Sequence, residues 1–433
     1  VHASCIMQGV RNLVLIVLIV AGCGRPGEAL DAHAECRKTA FIDGSVRAGS
    51  NAVGRDKAGR DHVDARVSAA AHNNAGARDD AGSRDDVNAR DSIRFIGAAP
   101  PDEQAELNQW CKTVGPPLFD PNPETPAAQR IDSLAIVSWN VHVGGGDVSA
   151  FVRDLRAGRL TAGPPVHNFV LLLQEAYRAS DDIPGGVRIE VPERIAPQPP
   201  QGPRTDIVHD AEQLGLALLY APSMRNGLLS TGPPFEDRGN AILSTLPLAD
   251  PRAIELPLER QRRVAISASI HVHPKLRLRM VSAHLENRSR ITRILASAGT
   301  GRVRQAKALL RALEPDSGII IAGDMNTWGP EWLERVIPLL RRELPDSPPG
   351  TGQPTHTGSL FDRPLDYMFA ELPAGWRLEY QRVDSTYGSD HYPLLGWLVF
   401  TPSARLSTRR ALQPLSPPKS LHPVAPAARA AKS

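Results

Sequence analysis

The stretch Gly318-Ile-Ile-Ile-Ala-Gly-Asp324-Met-Asn326-Thr-Trp328 decides how the rest of the chain is read. Ile319, Ile320, Ile321 and Ala322 form a short β-branched apolar run, the pattern of a strand covered on both faces. Gly323 breaks the run. Asp324 and Asn326 follow at a spacing of two, which in an extended chain sends both side chains to one side. An anionic oxygen and a neutral amide thus stand at the end of a buried strand. Taken alone, the same residues also describe an ordinary strand-to-loop turn, in which Asp and Asn bond to nearby backbone.

Other apolar runs end in residues of the same chemical type. Leu134-Ala-Ile-Val-Ser-Trp-Asn140 ends in an amide, Phe169-Val-Leu-Leu-Leu-Gln174-Glu175 in an amide and a carboxylate, and Leu278-Arg-Met-Val-Ser-Ala-His284 in an imidazole. Leu365-Asp366-Tyr-Met-Phe opens on an acid, and Gly388-Ser-Asp390-His391-Tyr-Pro places an Asp-His pair just before the run Leu394 to Phe400. Carboxylates, amides and imidazoles gathered at strand ends are what a hard divalent cation and a phosphate ester require.

Taken in order, Ser138-Trp-Asn140-Val, Leu173-Gln-Glu175, Arg238-Gly-Asn240-Ala-Ile-Leu-Ser, Ala283-His284-Leu, Gly323-Asp324-Met-Asn326, Leu365-Asp366-Tyr and Ser389-Asp390-His391-Tyr-Pro resemble the motif series of the endonuclease/exonuclease/phosphatase superfamily, the deoxyribonuclease-I-like proteins. The resemblance covers residues 131–400. It implies an α+β fold, a four-layer α/β/β/α sandwich of two mainly antiparallel sheets with outer helices, and a site at one end of it. It implies Mg²⁺ or Mn²⁺ held by Asn140, Glu175 and Asp390, and a catalytic set of His284, Asp324, Asn326, Asp366 and His391. Asp324 and Asn326 would orient the attacking water, and Asp366 would fix the tautomer of His391 and raise its basicity. Which histidine is acid and which is base differs within the superfamily and stays open. Arg238, Asn240, Arg288 and Arg290 are the expected contacts of the substrate phosphate. His142 stands two residues after Asn140, where some relatives carry a metal-binding Asp; a ring satisfied by a carbonyl is the alternative. Trp139 and Trp328 are expected to pack rather than to stack on bases.

Outside that region the sequence changes character. The chain has 433 residues, 41% of them hydrophobic, which suffices for a sizeable core. Its net charge of +3 comes from the tail: residues 401–433 hold six Lys or Arg and no acid, leaving 44 basic residues against 47 acids elsewhere. Global charge therefore gives no argument for nucleic acid. Arg11, the apolar run Leu13 to Val20, and Val20-Ala-Gly-Cys23 predict a signal peptide over residues 1–22 ending in a lipobox, with Cys23 lipidated and Met7 a candidate start. The run is too short to span a bilayer. The expected location is the cell envelope, lipid-anchored on the outer membrane or the periplasmic face, or secretion if Cys23 carries no lipid. Residues 23–92 are predicted to be a disordered tether, since residues 37–92 carry ten Lys or Arg against nine Asp and few large apolar groups. Residues 93–130 are read as a docking helix, with Leu107, Trp110, Cys111 and Val114 on one face, and a Pro-rich lead-in. Residues 401–433 are read as a disordered basic tail. Cys36 and Cys111 either pair or stay free.

From Asn287 to Ala312 there are seven basic residues, Arg288, Arg290, Arg293, Arg302, Arg304, Lys307 and Arg311, and no acid. A solvated face is one reading; a groove following several phosphates is the other. The function expected from these features is divalent-metal-dependent hydrolysis of phosphodiester bonds, of nucleic acid first, by a monomer. The alternatives are a sphingomyelinase-like phospholipid phosphodiesterase, a phosphatase of small phosphate esters, and a non-catalytic binding protein on the same fold.

Overall fold

The computed structural model describes residues 40–41 and 92–400, apart from 122–130, 132, 162, 186–201, 227–234, 274–275, 288–298, 315, 330–333 and 359–363. The lipobox, Cys36, the basic residues 288, 290 and 293, and the tail after 400 lie outside the described residues. So does most of the predicted tether, although Ala40–Phe41 is extended and pairs with residues 118–119, so the tether reading does not hold for those two positions. Among the described residues no helix is long and apolar enough to cross a membrane.

Two sheets form the body. In chain order the strands are β1 (Ala40–Phe41), β2 (Arg94–Gly97), β3 (Leu118–Asp120), β4 (Ser133–Asn140), β5 (Phe169–Ser180), β6 (Ala217–Arg225), β7 (Phe235–Ser244), β8 (Ala249–Glu255), β9 (Val264–His273), β10 (Leu276–His284), β11 (Gly318–Asp324), β12 (Asp366–Glu371), β13 (Trp376–Arg382) and β14 (Leu394–Phe400). The first sheet runs β3-β6-β7-β5-β4-β14-β13, extended at its edge by the two residues of β1; the second runs β12-β11-β10-β9-β8-β2. Pairing is mainly antiparallel, with β4/β5, β10/β11, β2/β8 and β1/β3 parallel. The helices are α1 (Gln104–Cys111), α2 (Val148–Arg156), α3 (Ile207–Leu214), α4 (Thr300–Ala312) and α5 (Val336–Glu343).

The layering follows from side-chain alternation. Leu134, Ile136, Val170 and Leu172 point to the gap between the sheets and meet Ile266, Ala268, Met280 and Ile320 there. Their neighbours Ala135, Val137, Leu171 and Leu173 point the other way and pack under Phe151, Leu155, Ile207 and Ala211 of α2 and α3. On the far side Ile254, Val281, Ile321 and Phe369 are covered by Ala306 and Leu309 of α4 and Val336, Leu339 and Leu340 of α5. Strands buried on both faces read as continuous apolar runs, which is why Ile319 to Ala322 shows no polar alternation. The result is the expected four-layer α/β/β/α sandwich.

Local signals set the ends. Asp147 caps α2 by accepting from Ala150 N at 2.7 Å, and Asp206 caps α3 by accepting from Val208 N at 2.8 Å. Helix α3 ends on Gly215 in the left-handed region at φ 65°. Helix α5 starts at Val336, after Arg335. Neither α2 nor α3 was among the expected helices, and the Pro-rich lead-in contains the short strand β3. Helix α1 buries Leu107, Trp110 and Cys111 as its periodicity predicts, and Trp110 packs against Met224 of β6. Cys111 is disulfide-bonded, to a partner outside the described residues.

Candidate active site

Strand register assembles half of the site. In the second sheet His284 lies opposite Asp324 across the β10/β11 pair, and Asp324 lies opposite Asp366 across β11/β12. One row across three neighbouring strands therefore ends in imidazole, carboxylate and carboxylate. Gly323 makes the close pairing possible: a Cβ at this position, where φ is 154°, would sit 1.8 Å from the Ala283 carbonyl oxygen. The Thr355 hydroxyl oxygen accepts from Leu365 N at 2.8 Å and Asp366 N at 3.1 Å and fixes where β12 begins.

The first sheet supplies the other half through irregular backbone. Asn140 pairs with Gln174 at the end of β4/β5. Beyond it the β5/β7 register shifts between Leu173 and Ala176, a bulge in which Glu175 takes φ 52°. The bulge sends Gln174 inward, where its Nε2 donates to Ser282 Oγ at 3.0 Å, and leaves Glu175 to line the cleft. Non-glycine residues at positive φ are uncommon, and Glu175, His142 and Asn326 are three of them at one site, where backbone strain is often stored.

The two halves meet at Asp324. Its Oδ1 accepts from Asn326 N at 2.8 Å, and its Oδ2 accepts from Asn140 Nδ2 at 3.1 Å, a bond that ties one sheet to the other. The same Oδ2 lies 3.5 Å from His284 Nε2 and 3.8 Å from His391 Nε2. His391 Nδ1 is 2.8 Å from Asp366 Oδ2. This couple holds the ring with Nε2 toward Asp324. Asp390 Oδ2 stands 3.5 Å from Nε2 of both His142 and His356. These side chains, with Glu175, Arg238, Arg263, Asn287 and Trp328, line a cleft of about 250 Å³.

Environment separates the two central histidines. Burial, reinforced by the charges of Arg263, Arg238 and His391, pushes His284 well below the ordinary imidazole range. Burial acts on His391 in the same sense, but the Asp366 carboxylate, with Asp324 and Asp390 beyond it, outweighs it and raises the ring to about 10. Asp324 is pushed up to about 7, by burial first and the neighbouring Asp366 charge second. Asp390 is lowered: burial would raise it, and the hydrogen bond from His356 with the charges of His391 and His142 wins.

The donor set suits a divalent cation. Asp324, Asp366 and His391 bring ligand atoms within 4.8 Å of one another, and so do His356, Asp390 and His391. Among the described residues, Asp366 Oδ1 and Asp390 Oδ1 find no hydrogen-bond partner although buried, which is costly unless something completes them. Glu175 belongs to neither group; its Oε2 forms a 3.0 Å ion pair with Arg238.

The structure thus brings together Asn140, Glu175, Arg238, His284, Asp324, Asn326, Asp366, Asp390 and His391. Asn240 differs from expectation. It is buried, and its Nδ2 donates to the Val264 carbonyl at 2.8 Å, so it links strands β7 and β9 instead of meeting a phosphate. The amide of Asn326 is also engaged, Nδ2 donating to the Leu285 carbonyl at 2.9 Å and Oδ1 accepting from Trp328 Nε1 at 2.8 Å. Arg288 and Arg290 lie outside the described residues. Arg302 is buried and bonded to Glu334 at 2.7 Å, and Arg304 reaches Glu259 at 2.8 Å and Glu103, so neither supplies the expected basic groove. Trp139 packs on Phe151 as expected. His356 and Arg263 escaped the sequence reading. The first sits in a polar loop without motif, and the second closes the polar run Glu259-Arg-Gln-Arg-Arg263 just before β9, where nothing local sets it apart from Arg262.

None of the curated proteins compared with the chain matches it in sequence. Among solved structures, an endonuclease/exonuclease/phosphatase from Beutenbergia cavernae DSM 12333 is similar at 17% identity, covering 62% of this chain and 72% of that one with a TM-score of 0.43. A 3'-5' exonuclease from Neisseria meningitidis is similar at 15% identity over 62% of this chain and 99% of that one, TM-score 0.35. Beta toxin from Staphylococcus aureus is similar at 14% identity over 61% of this chain and 99% of that one, TM-score 0.34. Residues 137–391, more than half of the chain and the whole span of the site, match the Endonuclease/Exonuclease/phosphatase family, and the chain belongs to that family as a metal-dependent phosphoesterase.

Proposed function

We propose that the chain hydrolyses phosphodiester bonds of nucleic acid outside the cytoplasm, with Asp324 as the proton acceptor and His391 as the cationic acid. The observation that carries this is the setting of Asp324 Oδ2, 3.5 Å from His284 and 3.8 Å from His391, with the two rings driven to opposite protonation states. A carboxyl raised to about 7 is poised to take a proton near neutral pH. In the reaction a water oxygen bonds to phosphorus, its proton goes to Asp324, the ester P–O bond breaks, and the leaving oxygen takes a proton from His391. Asp366 holds the His391 ring through that transfer, and neutral His284 donates to a phosphoryl oxygen. Arg238 neutralises charge beside Glu175. Glu175, Asp390 and Asn140 would hold Mg²⁺ or Mn²⁺, which when bound would supply Lewis-acid polarisation of the phosphate oxygens. Positioning and electrostatics suffice for this chemistry without a covalent nucleophile.

Two observations favour a second reading, a small phosphate ester or a phospholipid headgroup. The cleft is only about 250 Å³, and Arg302 and Arg304 are spent on internal ion pairs. Offering duplex DNA, RNA, sphingomyelin and small phosphate esters with Mg²⁺ or Mn²⁺ tests both. A polymer held at several phosphates loses affinity by about one power of salt concentration per phosphate neutralised. A best substrate that is lipid or monoester, with a shallow salt slope and no change in Arg288→Ala/Arg290→Ala, sinks the nuclease reading. The envelope location rests on Val20-Ala-Gly-Cys23. Palmitate labelling that is absent from the native protein, with Cys23→Ala equally membrane-bound, refutes the lipid anchor.

A further inference from the structure

The end of the sandwich opposite the cleft carries a groove of about 320 Å³. Strand β11 runs from Gly318 at this end to Asp324 at the cleft, and β12 returns from Asp366 to Glu371 beside Ile319. Helices α4 and α5 both stop here: their C-caps, Leu313 and Leu344, line the groove and with Leu372 give it an apolar floor. Four acids, Glu314, Asp316, Glu343 and Glu371, surround that floor, and among the described residues no base lines it. The two helix C-termini add their partial negative charge. Two of the acids are already answered, Glu314 by Arg94 and Arg252, each at 2.8 Å, and Asp316 by Arg279 at 3.1 Å and by Arg277. The other two are not. Among the described residues Glu343 meets only its exposed neighbour Arg342 at 2.6 Å, a pair worth little in water, and Glu371 makes no ion pair.

Strand β14 carries the chain to the same end. Phe400 closes it opposite Trp376 of β13, with the rings 5.1 Å apart, and at 43% exposure it is the one exposed large apolar residue among the described residues. Trp376 N donates to the Pro373 carbonyl at 3.0 Å, and a Cβ added to Gly318 in the groove wall would lie 3.0 Å from Pro373 Cδ. Phe400 thus leads to the groove through residues that touch one another. Residues 401–433, which follow it, hold six Lys or Arg and no acid, and Arg405, Leu406, Arg409, Arg410 and Leu412 come first. An extended chain covers about 3.3 Å per residue, so Arg405 and Leu406 lie within roughly 20 Å of Phe400. A segment of this composition builds no core of its own, but the groove offers an apolar floor and opposite charge, and the covalent link supplies an effective concentration on the order of mM. We propose that the groove seats the chain's own segment from Arg405 to Leu412, with leucines on the floor and arginines against Glu343 and Glu371. The basic charge of the tail is then held at the end away from the cleft and adds nothing to substrate binding there.

Limited trypsin digestion of the full chain, followed by mass spectrometry, tests the seat, because trypsin cuts after Arg405, Arg409 and Arg410. Arg429, further along the same segment, is the internal reference. Relative to Arg429, cutting at the three arginines should be at least about fivefold faster in Glu343→Gln/Glu371→Gln than in the wild type, since a protease samples the undocked population. In 1 M NaCl the wild type should rise to the variant's rate, which tests the same charges without a substitution. Both glutamates are exposed, so the variant keeps the fold. Equal relative rates in wild type and variant, or protection that persists in high salt, overturn the proposal. Protection that grows with protein concentration overturns it as well, because the occupant is then the tail of a second copy. None of these outcomes depends on which ester the cleft hydrolyses, so the seat stands or falls apart from the proposed reaction.

Discussion

The two ends of the sandwich that meet at the cleft are built differently. The second sheet contributes His284, Asp324 and Asp366 from regular strands in register, and all three are nearly withdrawn from solvent. The first sheet contributes Glu175 from a bulge and His142 from a loop, both at positive φ, with Asp390 in the turn before β14. These side chains keep 18%, 34% and 32% of their exposure. Register gives rigid placement and low dielectric, the conditions that move proton affinities. The bulge and loops give oxygen and nitrogen atoms that face an opening, the conditions for meeting an ion or a substrate. On the proposed reaction, the difference puts the proton acceptor, Asp324, in the second sheet and ligand capture in the first, with His391, buried beside Asp390, the proton donor that the first sheet adds.

The sharpest way to break this division is Asp324→Asn. The amide keeps shape and its one carbonyl oxygen can still accept from the Asn326 backbone N–H, but its NH2 meets Asn140 Nδ2 donor to donor, and it takes no proton. Hydrolysis should fall by about 10³ or more with KM little changed. A variant retaining a tenth of wild-type kcat would remove Asp324 from the chemistry and leave the second sheet with no base. On the other side, Glu175→Gln should cost about 10² in kcat/KM and raise the Mg²⁺ or Mn²⁺ concentration needed for half activation. Full activity of that variant in chelator would erase the distinction, because the first sheet would then hold no ion. Its melting temperature needs checking alongside, since Arg238 loses its counter-charge.

What the sequence revealed follows the same division. Asp324, His284 and Asp366 were legible because each closes or opens an apolar run, and strand register then has little choice about where they go. The layers were legible for the same reason, from runs such as Ile319 to Ala322. Bulges and long-range pairs were not. The shift that turns Glu175 outward depends on how β5 meets β7, and nothing local announces it. Asn240 stands in a matching motif, yet its amide is taken by the Val264 carbonyl of a strand 24 residues away. The basic stretch misled because the acids that neutralise Arg302 and Arg304 are Glu334, Glu259 and Glu103, remote in sequence and adjacent only after folding. Helix α2 did carry a legible signal, Val148, Phe151, Val152 and Leu155 at i, i+3, i+4 and i+7 behind the capping Asp147, and Asp206 marked the start of α3.

The smallest effect expected on hydrolysis comes from a test of whether burial alone explains the raised carboxyl of Asp324. Asp210 on α3 supplies the control. It lies outside the cleft, is almost fully buried, accepts from Ser149 Oγ at 3.2 Å, and is pushed up to about 7, by burial first, with the Asp147 and Asp206 charges adding to it. A carboxyl with a folded pKa above its unfolded value binds more protons in the native state between the two values, so it lowers stability as pH rises from about 4 to about 7. Above that range the penalty is complete; below it there is none. Asp210→Asn removes the charge and keeps the acceptor for Ser149. At pH 8 the variant should therefore be more stable than the wild type, by at most roughly 4 kcal/mol for a carboxyl raised from about 4 to about 7, and at pH 3.5 the two should unfold alike. Denaturant titration at both pH values measures this, with activity unchanged throughout. A variant that is less stable at pH 8 would mean that the Asp210 charge is solvated or paired in the folded chain, and burial could no longer be taken as sufficient cause for the shift at Asp324.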